Sequence, residues 1–414
     1  MAFFFLCILM FVNFYQPGSV FPELIPYRLV LVSSLIALIT YILVGKRNNV
    51  AFFSSKYARY FILFVIVSVL SSSRIWITGG IETFLSWCIY IIMFYLLVRE
   101  CTSINHIKYI LLMVMLAVAY LSYFSLKDIY LNYESGYRAI GYGWYENAND
   151  LSLILITTIP FAFYFIESSS NKLVRYLFIV ISISFSINVL FTGSRQALLG
   201  LLTVGALCLF YSKKISRMIK IAMSVGMILA IVTVGMATVM SRGDLEGQLL
   251  GDASSENRLI QWNACVKMTL KNPILGVGPG ESAYVMREYG GIQGLVPHNT
   301  LLQVFAETGI PGGIFFFLCT CYPIIGAIKT LKNEYKKNRL QDPTILIYKY
   351  LTIALLGFWS CAIFSNRVEF AILYVLIALI VACEENILKH RLADSVVVSR
   401  TALCANESET LSSQ

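Results

Sequence analysis

The residues best equipped for chemistry in this chain are one histidine and a few arginines. His298 lies in Pro297-His298-Asn299-Thr300, near the end of the longest polar interruption, Ser241 to Gly313. Thr300 with Gln303 fits a capping box, which predicts a helix opening just after His298. The positive end of that helix disfavours imidazolium, so the ring should be neutral near pH 7. A neutral, partly exposed imidazole can take a proton from a hydroxyl group. On spacing alone, a packed loop histidine is the simpler reading.

Arg258 and Arg195 invite a second kind of chemistry. Gly251-Asp252-Ala253-Ser254-Ser255-Glu256 reads as a capped helix start, and Leu259, Trp262, Val266 and Leu270 then form one apolar face. Asn272-Pro273 should end this helix, which is expected to lie along a membrane surface. Arg258 would fall in its first turn, where a cation opposes the helix dipole by a few tenths to about 1 kcal/mol. An anion held there would offset that cost. Arg195 repeats the pattern after the tight turn Thr192-Gly193-Ser194. Arginines reaching for phospholipid headgroups explain either residue equally well.

Other polar features carry less. Leu275-Gly276-Val277-Gly278-Pro279-Gly280 lacks the Gly-Lys-Ser/Thr ending of a phosphate loop and reads as a chain reversal at the membrane surface. The acidic residues Asp244, Glu246, Asp252, Glu256, Glu281 and Glu288 lack the spacing of a metal cage, so no metal is expected. Most of the ten cysteines fall inside apolar runs, where they act as small hydrophobes rather than disulfide partners.

The elements that must position these residues are membrane helices. The chain is 58% hydrophobic and only 13% charged over 414 residues, with a mean hydropathy of +0.73. A globular domain is about one quarter charged, so this surface is not an ordinary wet one. The apolar runs are continuous rather than alternating, which indicates helices and excludes a membrane barrel. Twelve spans are expected, near residues 2–15, 28–44, 60–72, 81–98, 107–124, 151–166, 173–191, 197–211, 219–240, 310–328, 345–364 and 370–382. The first run lacks a basic flank and a cleavage site, so it reads as a retained helix. The fold class is therefore all-α: a polytopic membrane bundle in 1–240, a large loop in 241–309, further membrane helices in 310–383 and a tail in 384–414.

Charge sets the expected orientation. Lys46, Arg47, Lys56 and Arg59 cluster after one span, and Lys213, Lys214, Arg217 and Lys220 after another. Lys329, Lys332, Lys336, Lys337, Arg339 and Lys349 continue the alternation, whereas the intervening segments hold isolated cations such as Arg74, Arg138, Arg195 and Arg367. Positive loops stay inside, which predicts cytoplasmic termini and an external Ser241–Pro297 loop. The same pattern accounts for the net charge of +9 without a nucleic-acid partner.

Several of these stretches resemble the O-antigen ligase and O-antigen polymerase superfamily. They are Arg258 through Trp262, Asn272 to Gly278, His298-Asn299, and Glu307-Thr308-Gly309-Ile310-Pro311-Gly312, together with Gly193-Ser194-Arg195 and the segment from Arg138 to Asn149. About twelve spans with one large, late outer loop also resemble that superfamily, whose fold is of the GT-C-like kind. The resemblance implies a metal-independent, inverting glycosyltransferase without cofactor, at the periplasmic face of the bacterial inner membrane. Its donor would be a glycan on undecaprenyl diphosphate. Its acceptor would be lipid A-core for a ligase, or a lipid-linked repeat unit for a polymerase. Arg195 and Arg258, with Arg138 and Asn149, would bind the donor, and His298 would activate the acceptor hydroxyl. A flippase for lipid-linked sugars is the alternative from another class. It predicts ionisable residues deep within several spans and two matching halves, which the late outer loop disfavours.

Overall fold

The computed structural model describes residues 1–45, 52–132, 138–212, 214–218, 220–226, 228–229, 232–233, 253–337 and 342–388. Its principal helices, in chain order, are α1 (Ala2–Tyr15), α2 (Leu29–Val44), α3 (Lys56–Ile75), α4 (Ile77–Glu100) and α5 (Ile104–Asn132). They continue with α6 (Ala148–Ser168), α7 (Lys172–Phe191), α8 (Arg195–Tyr211) and α9 (Ala253–Lys271). The series closes with α10 (Thr300–Thr320), α11 (Tyr322–Lys336), α12 (Pro343–Ala362) and α13 (Ala371–Leu388). Among the described residues, ten helical stretches are long and apolar enough to cross a membrane, and α8 is a shorter apolar one. The chain is thus an all-helical, multi-pass membrane protein. Of the twelve expected spans, half of the one at 219–240 lies outside the described residues.

Local chemistry explains where several helices begin. Asn147 caps α6 by accepting from the Asn149 amide at 2.8 Å, and Asn171 caps α7 by accepting from Leu173 at 2.9 Å. Asp342 accepts from Thr344 at 2.7 Å ahead of Pro343, whose missing N–H costs nothing in a first turn. The apolar windows of α6 and α12 are each 89% buried and that of α13 is 83% buried, against 17% for the stretch containing α2. The first three therefore form the centre of the bundle, and α2 presents its apolar side outward. α6 packs on α7 and α12, α8 on α12, α3 on α4 and α10, and α1 on α2 and α5.

Lys349 departs from the expectation drawn from charge. It does not sit in a solvated loop but is buried on α12, with its Nζ 3.0 Å from Glu167 Oε2 on α6. Tyr350 donates to the same carboxylate oxygen at 2.5 Å. A buried ammonium needs such a partner, so Lys349 belongs to the core and carries no weight in the loop-charge pattern.

Candidate functional site

The site is built where α10 begins and where it breaks. His298 precedes α10 with a positive φ of 49°, a region that non-glycine residues seldom enter, although histidine does so more readily than most. Asn299, not Thr300, is the cap: its side chain accepts from the Leu302 amide at 3.0 Å. The expected Thr300–Gln303 capping box does not form, because a tertiary partner claims Thr300 and a residue one turn on in the same helix claims Gln303. Thr300 Oγ1 donates to Ser365 O at 2.7 Å and accepts from the Arg367 amide at 3.0 Å, while Gln303 donates to Glu307 at 3.1 Å. Asn366 Oδ1 accepts from the Asn299 amide at 3.1 Å. The short 365–367 loop thus grips the residues immediately after His298.

On the other side, α9 holds His298 in place. Trp262 Nε1 donates to Pro297 O at 2.8 Å. Ala264, Cys265 and Met268 of α9 bury themselves against Val277, Met286 and Ala306. Cys265 is completely buried there, and loss of solvent pushes its thiol up to about 12. The expected apolar stripe faces the other way, with Leu259, Val266 and Leu270 left exposed by the protein. The helix does end at Lys271, before Asn272-Pro273. Arg258 is the sixth residue from Ala253 and lies beyond the first turn, where the dipole no longer acts strongly. Its spacing to Gln261, Cys265 and Met268 puts it on the packed face instead. There its charge is felt by His298, whose pKa is held below 6.5 by burial first, then by Arg258, then by Arg367.

The break in α10 explains the run from Glu307 to Gly312. Gly309 adopts φ 72°, ψ −174°, a conformation essentially reserved for glycine, and Pro311 has no amide hydrogen. Together they release backbone groups that a continuous helix would pair. The glycine-rich turn takes them up: Val277 N donates to Ala306 O and Gly278 N to Glu307 O, both at 2.9 Å. Ile310 N donates to Pro273 O at 2.8 Å. Ser71 on α3 also donates to Glu307 O at 2.8 Å, and Arg74 donates to Gly276 O at 2.8 Å. The turn is therefore a splint across a broken helix as well as a chain reversal. A side chain at Gly276 would meet the Glu307 backbone at 2.4 Å.

The remaining expected residues gather at the turn before α8. Arg138 Nε donates to Thr192 O at 2.7 Å, and the Ala139 amide donates to Phe191 O at 2.9 Å. Asn149 Oδ1 accepts from Ser194 Oγ at 2.6 Å, immediately before the exposed Arg195. Arg138, Asn149 and Arg195 therefore form one group, while Arg258 and His298 form another. An ion pair joins the two: Asp150, next to Asn149, pairs with Arg367, whose amide holds Thr300. Neither Asp150 nor Arg367 was singled out from the sequence. The available signals were the position of Asp150 beside Asn149 and that of Arg367 among the isolated cations of the expected outer side.

Next to this junction lies a cavity of about 720 Å³. It is walled by α3, α4 and α10, by the Gly280–Glu281 turn, and by the loop from Asn366 to Phe370, and both Arg367 and Asp150 face it. Glu307 reaches it from the broken helix, with its carboxylate accepting from Ser282 Oγ at 2.7 Å. Among the described residues, no three His, Cys, Asp or Glu side chains converge on a metal position. Chemically, the arrangement offers a neutral imidazole flanked by fixed guanidinium groups. Such groups retain their charge even where burial lowers their pKa, as at Arg367. This combination suits removal of a proton from a hydroxyl beside a held anion.

Residues 177–317, which include Arg195, Arg258 and His298, match the O-antigen ligase family model. A candidate polysaccharide ligase of Rickettsia conorii is 33% identical over 99 residues, 22% of this chain and 24% of that relative. One of Rickettsia felis is 36% identical over 100 residues, with the same shares. The chain thus matches about a quarter of the length of these curated relatives. Over the segment that holds these three residues, the chain is similar to the O-antigen ligase family.

Proposed function

We propose that the chain transfers a glycan from undecaprenyl diphosphate to an acceptor hydroxyl, with lipid A-core as the acceptor, at the periplasmic face of the bacterial inner membrane. The observation that carries this reading is the junction itself. A histidine kept neutral by burial and by Arg258 and Arg367 is tied through Arg367 and Asp150 to the group formed by Asn149, Arg138 and Arg195. In this reading His298 takes the proton of the acceptor hydroxyl as its oxygen attacks the anomeric carbon. The bond from that carbon to the diphosphate breaks with inversion, and the lipid diphosphate leaves with one more negative charge. Arg195 and Arg258, with Arg138, hold that charge as it develops. The chemistry assigned to these side chains needs no metal.

The loop charges support this side of the membrane, since they favour cytoplasmic termini and an external site. A lipid-linked donor also accounts for a site at the end of a helical bundle. Deletion of the gene tests the reading in the cell. Long chains stranded on the lipid carrier are the expected result for a ligase. Single repeats on lipid A-core would instead make the chain a polymerase, and unchanged glycans in both pools would refute glycan transfer to either acceptor.

A further inference from the structure

The cavity beside the junction is not shaped for the donor diphosphate. Glu82, Glu281 and Glu369 face it, as does the buried Glu307, while the guanidinium of Arg367 is paired through Nη2 with Asp150 and donates through Nη1 to Asn366 O, leaving only its Nε. A phosphate or carboxylate entering here would meet far more like charge than partners. Three of the five tryptophans of the chain, Trp76, Trp87 and Trp144, also line it. Trp76 and Trp144 are 69% and 52% exposed, an unusual state for such large apolar rings. Trp87, 2% exposed and packed on Phe61, Phe64, Tyr90 and Tyr374, forms the floor of the same space. Ser68, 1% exposed on α3, also lines the cavity, and its hydroxyl has no hydrogen-bond partner among the described residues. Buried hydroxyls are rarely left so unless a ligand or water completes them. The volume lies within the range that holds a small ligand.

We propose that this cavity is a saccharide subsite for rings that are neutral or carry amino groups, and that it rejects rings bearing phosphate or carboxylate. Tryptophan faces cover the C–H side of a pyranose, and carboxylates and hydroxyls meet its O–H and N–H groups. A protonated amine gains further from both the carboxylates and the indole faces. The subsite rests on the transferase reading only for its meaning: Arg367, which lines it, also acts on His298, so a sugar seated here is one that takes part in transfer.

The test is binding of three tetrasaccharides to the purified full chain in detergent, followed by intrinsic tryptophan fluorescence. They are a chitosan tetramer (cationic), a chitin tetramer (neutral) and a galacturonate tetramer (anionic). We expect the cationic probe to bind at least about tenfold more tightly than the anionic one at low salt, with the neutral probe between them and the gap closing in high salt. Trp76→Ala should weaken the neutral probe by about tenfold. The triple variant Glu82→Gln, Glu281→Gln, Glu369→Gln should lose the charge ranking, with the cationic and anionic probes then binding within about threefold of each other. Equal or tighter binding of the anionic probe, or a ranking that survives in the triple variant, overturns the proposal. His298→Ala separates the two readings. Loss of transfer with the sugar ranking intact supports both, whereas retained transfer sinks the transferase role of His298 and leaves the subsite standing.

Discussion

Replacing Asp150 by asparagine keeps the side chain's size and removes the anion that faces Arg367. The side chains of the pair are 11% and 21% exposed, so it lies towards the buried end of the range. Breaking a fully buried pair costs about 3–5 kcal/mol, and an exposed pair is worth about 0.2–1 kcal/mol. For this geometry we expect about 2 kcal/mol from Asp150→Asn, and a similar loss from Arg367→Gln. The double variant leaves no lone charge, so its loss should fall short of the sum by at least about 1.4 kcal/mol. Denaturant or thermal unfolding of the four proteins in one detergent gives the cycle. The same loop holds Asn299 and Thr300, so each single variant should also slow transfer, on the order of 10- to 100-fold, through displacement of His298. Losses that add within about 0.5 kcal/mol would refute the idea that the pair joins the two halves of the site.

Three further outcomes follow from the same geometry. Gly309→Ala should destabilise the fold by about 2–3 kcal/mol or more, because its backbone conformation is closed to alanine and the new methyl would meet Ile274 at 2.7 Å; a shift in unfolding midpoint measures it. Asn299→Ala should cost about 1 kcal/mol through loss of the cap, and Asn299→Asp should retain most of that stability. The pH profile of transfer should show an acid limb below 6.5, since burial and two cations disfavour the imidazolium and protonation removes the base. In Arg367→Gln that limb should move to higher pH, because removing a nearby cation eases protonation of His298; an unmoved limb would contradict the electrostatic argument.

Much of this was legible in the chain, for identifiable reasons. The membrane helices follow from continuous apolar runs, and the stop at Lys271 from Asn272-Pro273. The sequence places His298 ahead of a helix but points to Thr300 as the cap. Asn299 and Thr300 are both good caps in isolation, and only the tertiary bonds to Ser365 and Arg367 decide between them. Local spacing sets Arg258 against a helix dipole, whereas the fold brings its charge to bear on His298. Glycine and proline mark both halves of the splint, Gly276–Gly278 and Gly309–Pro311. Nothing in either segment says that the backbone groups released by one satisfy the other. Lys349 reads as a loop cation in the sequence because its partner, Glu167, lies on a distant helix. Pairings of this kind, Asp150–Arg367 included, have no local period to betray them.

The central claim is that His298 acts as the base for glycan transfer between held arginines. The most direct measurement is transfer by the purified chain in detergent or liposomes, with a lipid-diphosphate-linked glycan, lipid A-core and a chelator present. The account predicts transfer by the native chain and a loss of about 10²–10⁴-fold in His298→Ala, with its unfolding midpoint little changed. Transfer by a folded His298→Ala variant at the native rate would contradict it.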